Sequence, residues 1–527
     1  MLQFLVIESR GSFPLNRSRT RHGITSQIET DRCSMDTGEG WDVLLVVLLV
    51  VLVWYYIRET WTSGIDGIFP PGPPYIPVLT PLWTLWVFLH DGIWAATAGY
   101  AAKYGDFVRV WLGTEQTFII SRASAAAHVL KSSKYRARFG DPSGLAQIGM
   151  NGSGVIFNND VQSWKFLRFF FVKALYKEVL DRAAGVSAIA TRRQLANIRD
   201  MASSNPDGAV DVVTLMRRIT LEIGNRLFLG VNIENDLEVV NTINGYFAAW
   251  EFFMIRPKVL QLVYPTLYRK RQTAVRALQD VVGKLVDKKR AVMNGDEAEE
   301  EFSIPKGEHD FAAALIQAQE CGQVSASCVR QCVTEMLVAG PDTMSVNIYF
   351  ILLHIAEHGL ENGILKEIRE ALGDRDPTRD DLSKMVFLDH VINESMRTRP
   401  VVTFVMRHAE EEDHVDGYVI PKGTNVIINL VAVHQDPRHF PEPETFNPDH
   451  FKEKVPSTQF MPFGLGVRSC VGRTIAPLQM KAVLITLLRM YQLSPSRDHQ
   501  SLEVSRNLSE HPTEPGSMFL YPRLETI

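Results

Sequence analysis

The chain has 527 residues, of which 46% are hydrophobic and 22% charged, with a formal net charge of −5. That is ample material for a large core, and the missing basic field excludes nucleic acid as a main partner. The five cysteines (Cys33, Cys321, Cys328, Cys332 and Cys470) are odd in number and sparse, which argues against a disulfide framework and for a reducing compartment. Cys328 and Cys332 lie four apart on one helix face, but no second cysteine pair or nearby histidine completes a zinc set.

Residues 1–40 are polar and without pattern, so disorder is expected there; Met35 opens a stretch that leads directly into an apolar run and is the expected natural start. Val43 to Ile57 is apolar without a break and carries Trp41, Trp54, Tyr55, Tyr56 and Trp61 in or beside it, the composition of a membrane anchor with interfacial aromatics. A cleaved signal peptide is disfavoured, because no basic region precedes the run and no small-residue cleavage site follows. Pro70-Pro71-Gly72-Pro73-Pro74 then reads as a semi-rigid spacer. The expected organisation is a disordered extension (1–40), an anchor (41–61), a proline-rich hinge (62–77) and one catalytic body (78–527).

Within the body, Gly105 to Ser121 predicts two strands joined around Gly113-Thr114. Trp164 and Arg168 share a helix face. Ile189 to Lys288 is mainly helical by its spacing of apolar residues, and Tyr246, Phe247 and Trp250 within it make an aromatic stripe that fits either core or pocket. Asp296 to Glu301 is a solvated charge block. Ser325 to His358 predicts a long helix, with Ser325 as N-cap and Gly359 just past its end. At its centre stands Ala339-Gly340-Pro341-Asp342-Thr343. Pro341 has no N–H, so the Leu337 carbonyl loses its helical donor and the helix is expected to open or kink. Asp342 there could carry protons and Thr343 donate a hydroxyl hydrogen; the alternative is a structural kink with Thr343 bonded to its own turn.

Glu394 and Arg397, at i and i+3, pair on the next strong helix, which Pro400 ends. Val401 to His408 predicts a strand carrying Arg407. Val415–Ile420 and Thr424–Leu430, joined by Pro421-Lys422-Gly423, read as a hairpin. Last comes Phe463-Gly464-Leu465-Gly466-Val467-Arg468-Ser469-Cys470-Val471-Gly472, followed at once by a helical run. A thiolate there lies near a helix N-terminus, with bare glycine backbone whose N–H groups can reach the sulfur and tune a bound metal. A buried structural cysteine is the plainer alternative.

Phe463, Gly466, Arg468, Cys470 and Gly472 match the haem-binding signature of the cytochrome P-450 family. The Trp-x-x-x-Arg helix, the kinked central helix and the Glu-x-x-Arg helix resemble its landmarks in order, from about Gly105 onward. The resemblance implies a mainly α fold with a smaller β region, a helix-rich triangular prism with haem between the long central helix and the cysteine loop. It implies haem b with Cys470 as iron ligand, Phe463 and Gly472 in its loop, and Arg138, Trp164, Arg168, Arg407 and Arg468 around its propionates. It also implies dioxygen as co-substrate, NADPH electrons delivered by a flavoprotein reductase, and an endoplasmic-reticulum anchor with the body in the cytosol. Lys165, Arg473 and Lys481 could face the reductase. Where the family usually has an arginine to complete the Glu-x-x-Arg pair, this chain has His450.

Ala339 to Ser345, Pro400 to Arg407, Ile156 to Asn159 and Tyr246 to Trp250 further resemble the steroid-aromatising branch of that family. By that resemblance the substrate is an androgen, converted to an oestrogen by three oxidations at C19. Ala339, Asp342 and Thr343 would act at the reaction centre. A protonated Asp342, its pKa raised by burial, would meet the 3-ketone, and the Met406 N–H the 17-ketone. Ile156, Phe157, Phe247, Trp250, Val402, Val405, Leu508 and Ser509 would form the wall. Thr403, Phe404, Gly340 and Glu510 depart from the branch's pattern; Phe404 would narrow the wall and Glu510 would set a charge at its mouth. The alternatives are a haem-thiolate monooxygenase acting on another steroid, sterol or lipid, a reductase-independent isomerase, and a non-catalytic haem protein.

Overall fold

The structure is a computed structural model that describes residues 44–54, 68–76, 78–113, 115–140, 142–203, 205–255, 261, 263–296, 310–496, 504–506, 510–512 and 516–523. Two compact units divide at Tyr56. In the first, the described part of the expected anchor is an apolar helix, Leu44–Trp54, exposed along its whole length. The expected extension 1–40, the remainder of the anchor, Leu508 and Ser509 lie outside the described residues.

The second unit is helix-rich and built around Ala326–Glu357. This central helix begins as its sequence dictates. Ser325, in extended backbone, accepts a hydrogen bond from the Cys328 N–H at 3.2 Å, and the chain leaves past His358 through Gly359 at φ 62°. The helix is long and apolar enough to cross a membrane, but most of it is buried against neighbours, as a core helix is. Its two halves serve different cores. Val329 to Val338 pack with Tyr246, Phe252, Phe253 and Trp164 in one cluster. Met344 to Ile355 pack with the helices Val212–Gly224 and Ala476–Met490 in another. Between the halves, Ala339 and Gly340 are exposed, so the apolar stripe is interrupted where the proline sits. The helix continues through Pro341, whose carbonyl accepts from Thr220 Oγ1 at 3.0 Å.

A four-stranded sheet lies to one side: β1 (Phe107–Leu112), β2 (Glu115–Ile120), β3 (Phe404–His408) and β4 (Asn425–Asn429), in the spatial order β1-β2-β4-β3. β2 and β4 run parallel, with Thr117 opposite Asn425, and the other pairs are antiparallel. The expected β1–β2 pair is present. The expected hairpin is not. Tyr418–Ile420 pairs with Asp413–Val415 through a turn at Asp416 (φ 51°) and Gly417 (φ 86°), while β4 joins the larger sheet. Two consecutive positive φ angles make a tight two-residue turn that suits Asp-Gly, and this local signal sets the pairing rather than Pro421-Lys422-Gly423. The proline segment is also more than a spacer. Arg109 of β1 donates to the Pro71 carbonyl at 2.8 Å, and a Cβ on Gly72 would stand 1.9 Å from the Arg109 carbonyl oxygen, so only glycine allows that approach.

The Glu394–Arg397 pair is fully buried and ties several segments together. Arg397 donates to both carboxylate oxygens at 2.7 Å and to the carbonyls of His434, Pro443 and Thr445. The buried His434 ring accepts the Met461 N–H at Nε2. Burial, reinforced by Arg397, pushes its pKa down to about 3, far below the ordinary 6.5 or so. The folded state therefore binds fewer protons than the unfolded state over that interval, and stability falls as pH drops from about 6.5 toward 3. The urea midpoint should fall over this range, and His434→Gln should flatten the slope; an unchanged slope would remove His434 as a cause.

Candidate active site

The cysteine loop is held by main-chain hydrogen bonds. The Cys470 N–H donates to the Phe463 carbonyl at 2.8 Å, and the Ser469 N–H to Gly466 at 3.1 Å. Gly466 has φ 70°, and a Cβ there would stand 2.1 Å from the Leu130 carbonyl oxygen, so this loop presses directly on the end of the helix Ala123–Lys131. Gly466→Ala should therefore abolish haem loading, read as loss of the reduced carbon-monoxide band near about 450 nm, while Gly464→Ala serves as a comparison with positive φ but no such backbone clash. The Cys470 sulfur is accessible yet enclosed by protein. Burial pushes its thiol pKa up, and the N–H groups of Gly472 and Arg473 with the guanidiniums of Arg168 and Arg138 pull it down.

Around this loop gather Arg138, Arg168, Arg407 and Arg468. Among the described residues the hydrogen bonds of their guanidiniums all end on main-chain carbonyls. Arg468 donates to Arg136, Val155 and Asn158, Arg168 to Ser469, Arg138 to Arg468, and Arg407 to Met406. Arg468 also lies 4.1 Å from the centre of the Trp164 ring. Burial holds all four guanidiniums below their ordinary pKa, Arg468 down to about 9, and Arg138 further depresses Arg407 and Arg468. Arg138 Nε and Trp164 Nε1 are buried donors without partners. Like charges packed this way, with idle donors, fit a ligand carrying two carboxylates. The residues present therefore suit haem. Arg468 is also a staple between the cysteine loop and residues 136–158, with three of its five N–H groups on carbonyls there.

On the central helix, Ala339, Gly340 and Thr343 form an accessible face. Thr343 Oγ1 donates to the Ala339 carbonyl at 2.7 Å, the own-turn bond that the sequence left open. Asp342 points elsewhere and is buried. Its Oδ1 accepts from Arg217 Nη2 at 3.0 Å, and its Oδ2 lies 3.4 Å from His511 Nε2. The expectation for this carboxyl considered burial alone, and the two neighbours were missed because they come from remote segments. Burial lowers the His511 pKa while Asp342 pulls it up.

Ile156, Phe157, Phe247 and Trp250 are half-buried on one core cluster, with Phe247 stacked on Trp250 at 5.9 Å and Phe157 edge-on to Trp250 at 6.0 Å. A residue that the sequence reading overlooked holds the segment that carries Ile156 and Phe157. The buried Glu335 carboxylate accepts the N–H groups of Val155 at 2.6 Å and Ile156 at 3.2 Å, and burial raises its pKa. On β3, side chains alternate, so Val405 and Arg407 share one face, and Phe404 and Met406 the other. Phe404 is buried with Phe88, Val108 and Ile427 and does not narrow the wall; Thr403 is buried as well, whereas Val402 is exposed. His408 donates its N–H to Ala137 across the outer edge of β3, so the Met406 N–H, two residues earlier, faces that same edge. Glu510 is buried and paired with Arg399 at 3.2 Å, which balances the charge expected at the mouth. Lys481 is buried too, donating to the Leu382 carbonyl and Asp389, so it offers nothing to a docking partner; Lys165 and Arg473 are exposed.

His450 completes the Glu394–Arg397 pair. Its Nδ1 is 3.1 Å from Glu394 Oε1 and its Nε2 is 2.8 Å from the Pro441 carbonyl oxygen. Both neighbours are hydrogen-bond acceptors set against the two ring nitrogens. His450→Ala should lower stability by about 1–3 kcal/mol, measured by urea unfolding, with a matching shift in the loss of bound haem.

The site and fold together define a haem-thiolate protein, and comparison with known families agrees: the Cytochrome P450 family matches residues 70–516. The chain belongs to the cytochrome P450 family. Among its relatives are Aromatase 1 of Sus scrofa, 40% identical over 477 residues (90% of this chain, 91% of the relative), and Aromatase of Homo sapiens, 40% identical over 479 residues (90% and 92%). Aromatase of Bos taurus is 41% identical over 475 residues (90% and 91%).

Proposed function

We propose that this chain is an aromatase, a monooxygenase that converts androgens to oestrogens by three successive oxidations at C19. The observation that carries this reading is the 40% identity to aromatases across 90% of the chain. The arrangement of the site supports it. When bound, haem supplies the oxidising chemistry, using dioxygen and electrons that originate in NADPH. Cys470 would ligate the iron, its sulfur steadied by the N–H groups of Gly472 and Arg473. Arg138, Trp164, Arg168, Arg407 and Arg468 would hold the propionates.

The protein's part in the reaction is to place a flat, apolar steroid and to manage protons. Ile156, Phe157, Phe247, Trp250 and Val405 would exclude water from the rings. The Met406 N–H, on the open edge of β3, would donate to the 17-ketone. At the other end, a proton shared between Asp342 Oδ2 and His511 Nε2 would serve the 3-ketone, with Arg217 fixing the carboxyl through Oδ1. Thr343 would release its bond to Ala339 to offer its hydroxyl on the accessible face.

The proposed electron partner is a flavoprotein reductase. Exposed Lys165, Phe166, Phe169 and Val172 on the helix Val161–Lys173, with exposed Val467 and Arg473 at the cysteine loop, form a mixed apolar and basic surface suited to docking. The helix Leu44–Trp54 would anchor the chain in the endoplasmic reticulum, with residues 62–77 as hinge and the body in the cytosol. Androstenedione tritiated at C1 should release tritiated water in the presence of NADPH and reductase. Asp342→Asn should cut that rate by about 100-fold or more while the band near about 450 nm persists. Steroid binding without release of label would sink the aromatase reading.

A further inference from the structure

The end of the central helix carries a second constellation, far along the chain from Cys470. His354-Ile355-Ala356-Glu357-His358 places two imidazoles at i and i+4 with a carboxylate at i+3, a spacing that puts all three on one helix face. One ligand-competent atom from each residue lies within 4.8 Å of the others. Both rings stack against Phe446, with centroids 4.2 and 4.8 Å away, which keeps them together.

The hydrogen bonds at His354 make the arrangement more than a helix end. Its Nε2 faces Thr398 Oγ1 at 3.4 Å, and that hydroxyl spends its own hydrogen on the Glu394 carbonyl at 2.9 Å. Nε2 must therefore carry the ring proton, which leaves Nδ1 as a bare lone pair. Nδ1 is buried without a hydrogen-bond partner, and it faces Glu357 Oε2 at 3.8 Å. Two electron-rich atoms face each other and call for a cation between them. Histidines at a helix C-terminus are favoured by the macrodipole alone, but that does not account for a buried base aimed at a carboxylate.

We propose that His354, Glu357 and His358 form a binding site for a divalent transition-metal ion of the zinc class. The set of two imidazoles and one carboxylate suits zinc rather than calcium or magnesium. Thr398, bonded to the far nitrogen of His354, would be the outer partner that fixes that ring's orientation. The site opens on a cavity of about 520 Å³ whose wall also includes Glu444. The charge of nearby Arg399 is already balanced by Glu510 at 3.2 Å. Glu357 and His358 are exposed at the helix end, so they can close the remaining distance without disturbing the core. Asn447, next to Phe446, donates its N–H to Glu394, so an ion here would brace that segment against the Glu394–Arg397 pair.

The haem-loaded full chain, freed of loose metal by chelator dialysis, is titrated with zinc chloride by calorimetry, and bound metal is counted by mass spectrometry. The expected result is one zinc per chain besides iron and a rise in melting temperature. His358→Ala and Glu357→Gln should each weaken binding at least about 10-fold and lose that rise, with the haem band unchanged as proof of folding. Zinc bound equally by the parent and both variants, or no zinc taken up below millimolar concentration, would overturn the proposal and would leave the aromatase reading untouched.

Discussion

The guanidinium of Arg468 is the fastening on which the site depends. Three donors close on the carbonyls of Arg136, Val155 and Asn158, and its flat face lies on Trp164. One side chain thereby fixes the cysteine loop to the segment that carries Ile156 and Phe157. Glu335 grips the same segment from the central helix through the Val155 and Ile156 N–H groups. The sulfur and the apolar wall are thus held by one short stretch of chain caught between a cation and an anion. Neither charge reaches the other directly; each is satisfied by backbone. Charge-assisted bonds to main chain are strong and tolerate no slack in position, which is what a cavity of fixed shape requires.

The central helix organises the rest by being two helices in packing terms. Its first half belongs to one core and its second half to another. Ala339 and Gly340, small and accessible, stand where the two meet. Pro341 contributes by lacking a donor, and Thr220 reaches over to its carbonyl from a neighbouring helix. Function is placed where the apolar stripe breaks, because a continuous stripe would be covered by other side chains.

Much of this was legible because it is local. Helix caps, the paired strands after Gly105, the Glu-x-x-Arg pair and the cysteine loop are written in residues a few positions apart. What failed was non-local or competed with a stronger local signal. Asp416-Gly417 outbid Pro421-Lys422-Gly423 for the turn, so β4 went to the larger sheet. Lys481 looked like surface charge until Asp389 and the Leu382 carbonyl were seen to enclose it. Phe404 sits one position out of phase with the wall, and strand alternation turns it into a different core. Arg217, His511 and Glu335 were invisible because their partners lie more than a hundred residues away or on an unrelated loop, and nothing in their immediate sequence marks them.

The four clustered guanidiniums bear on how the molecule is made. Until carboxylates arrive from outside the polypeptide, these side chains repel one another in a region that water reaches poorly, and Glu335 and Glu410 relieve Arg138 and Arg468 only in part. Whatever binds the native arrangement alone draws the equilibrium toward it. Maturation of this chain is therefore a joint event: the prosthetic group acts as a missing piece of the interior, and its supply sets how much of the newly synthesised polypeptide settles into lasting form.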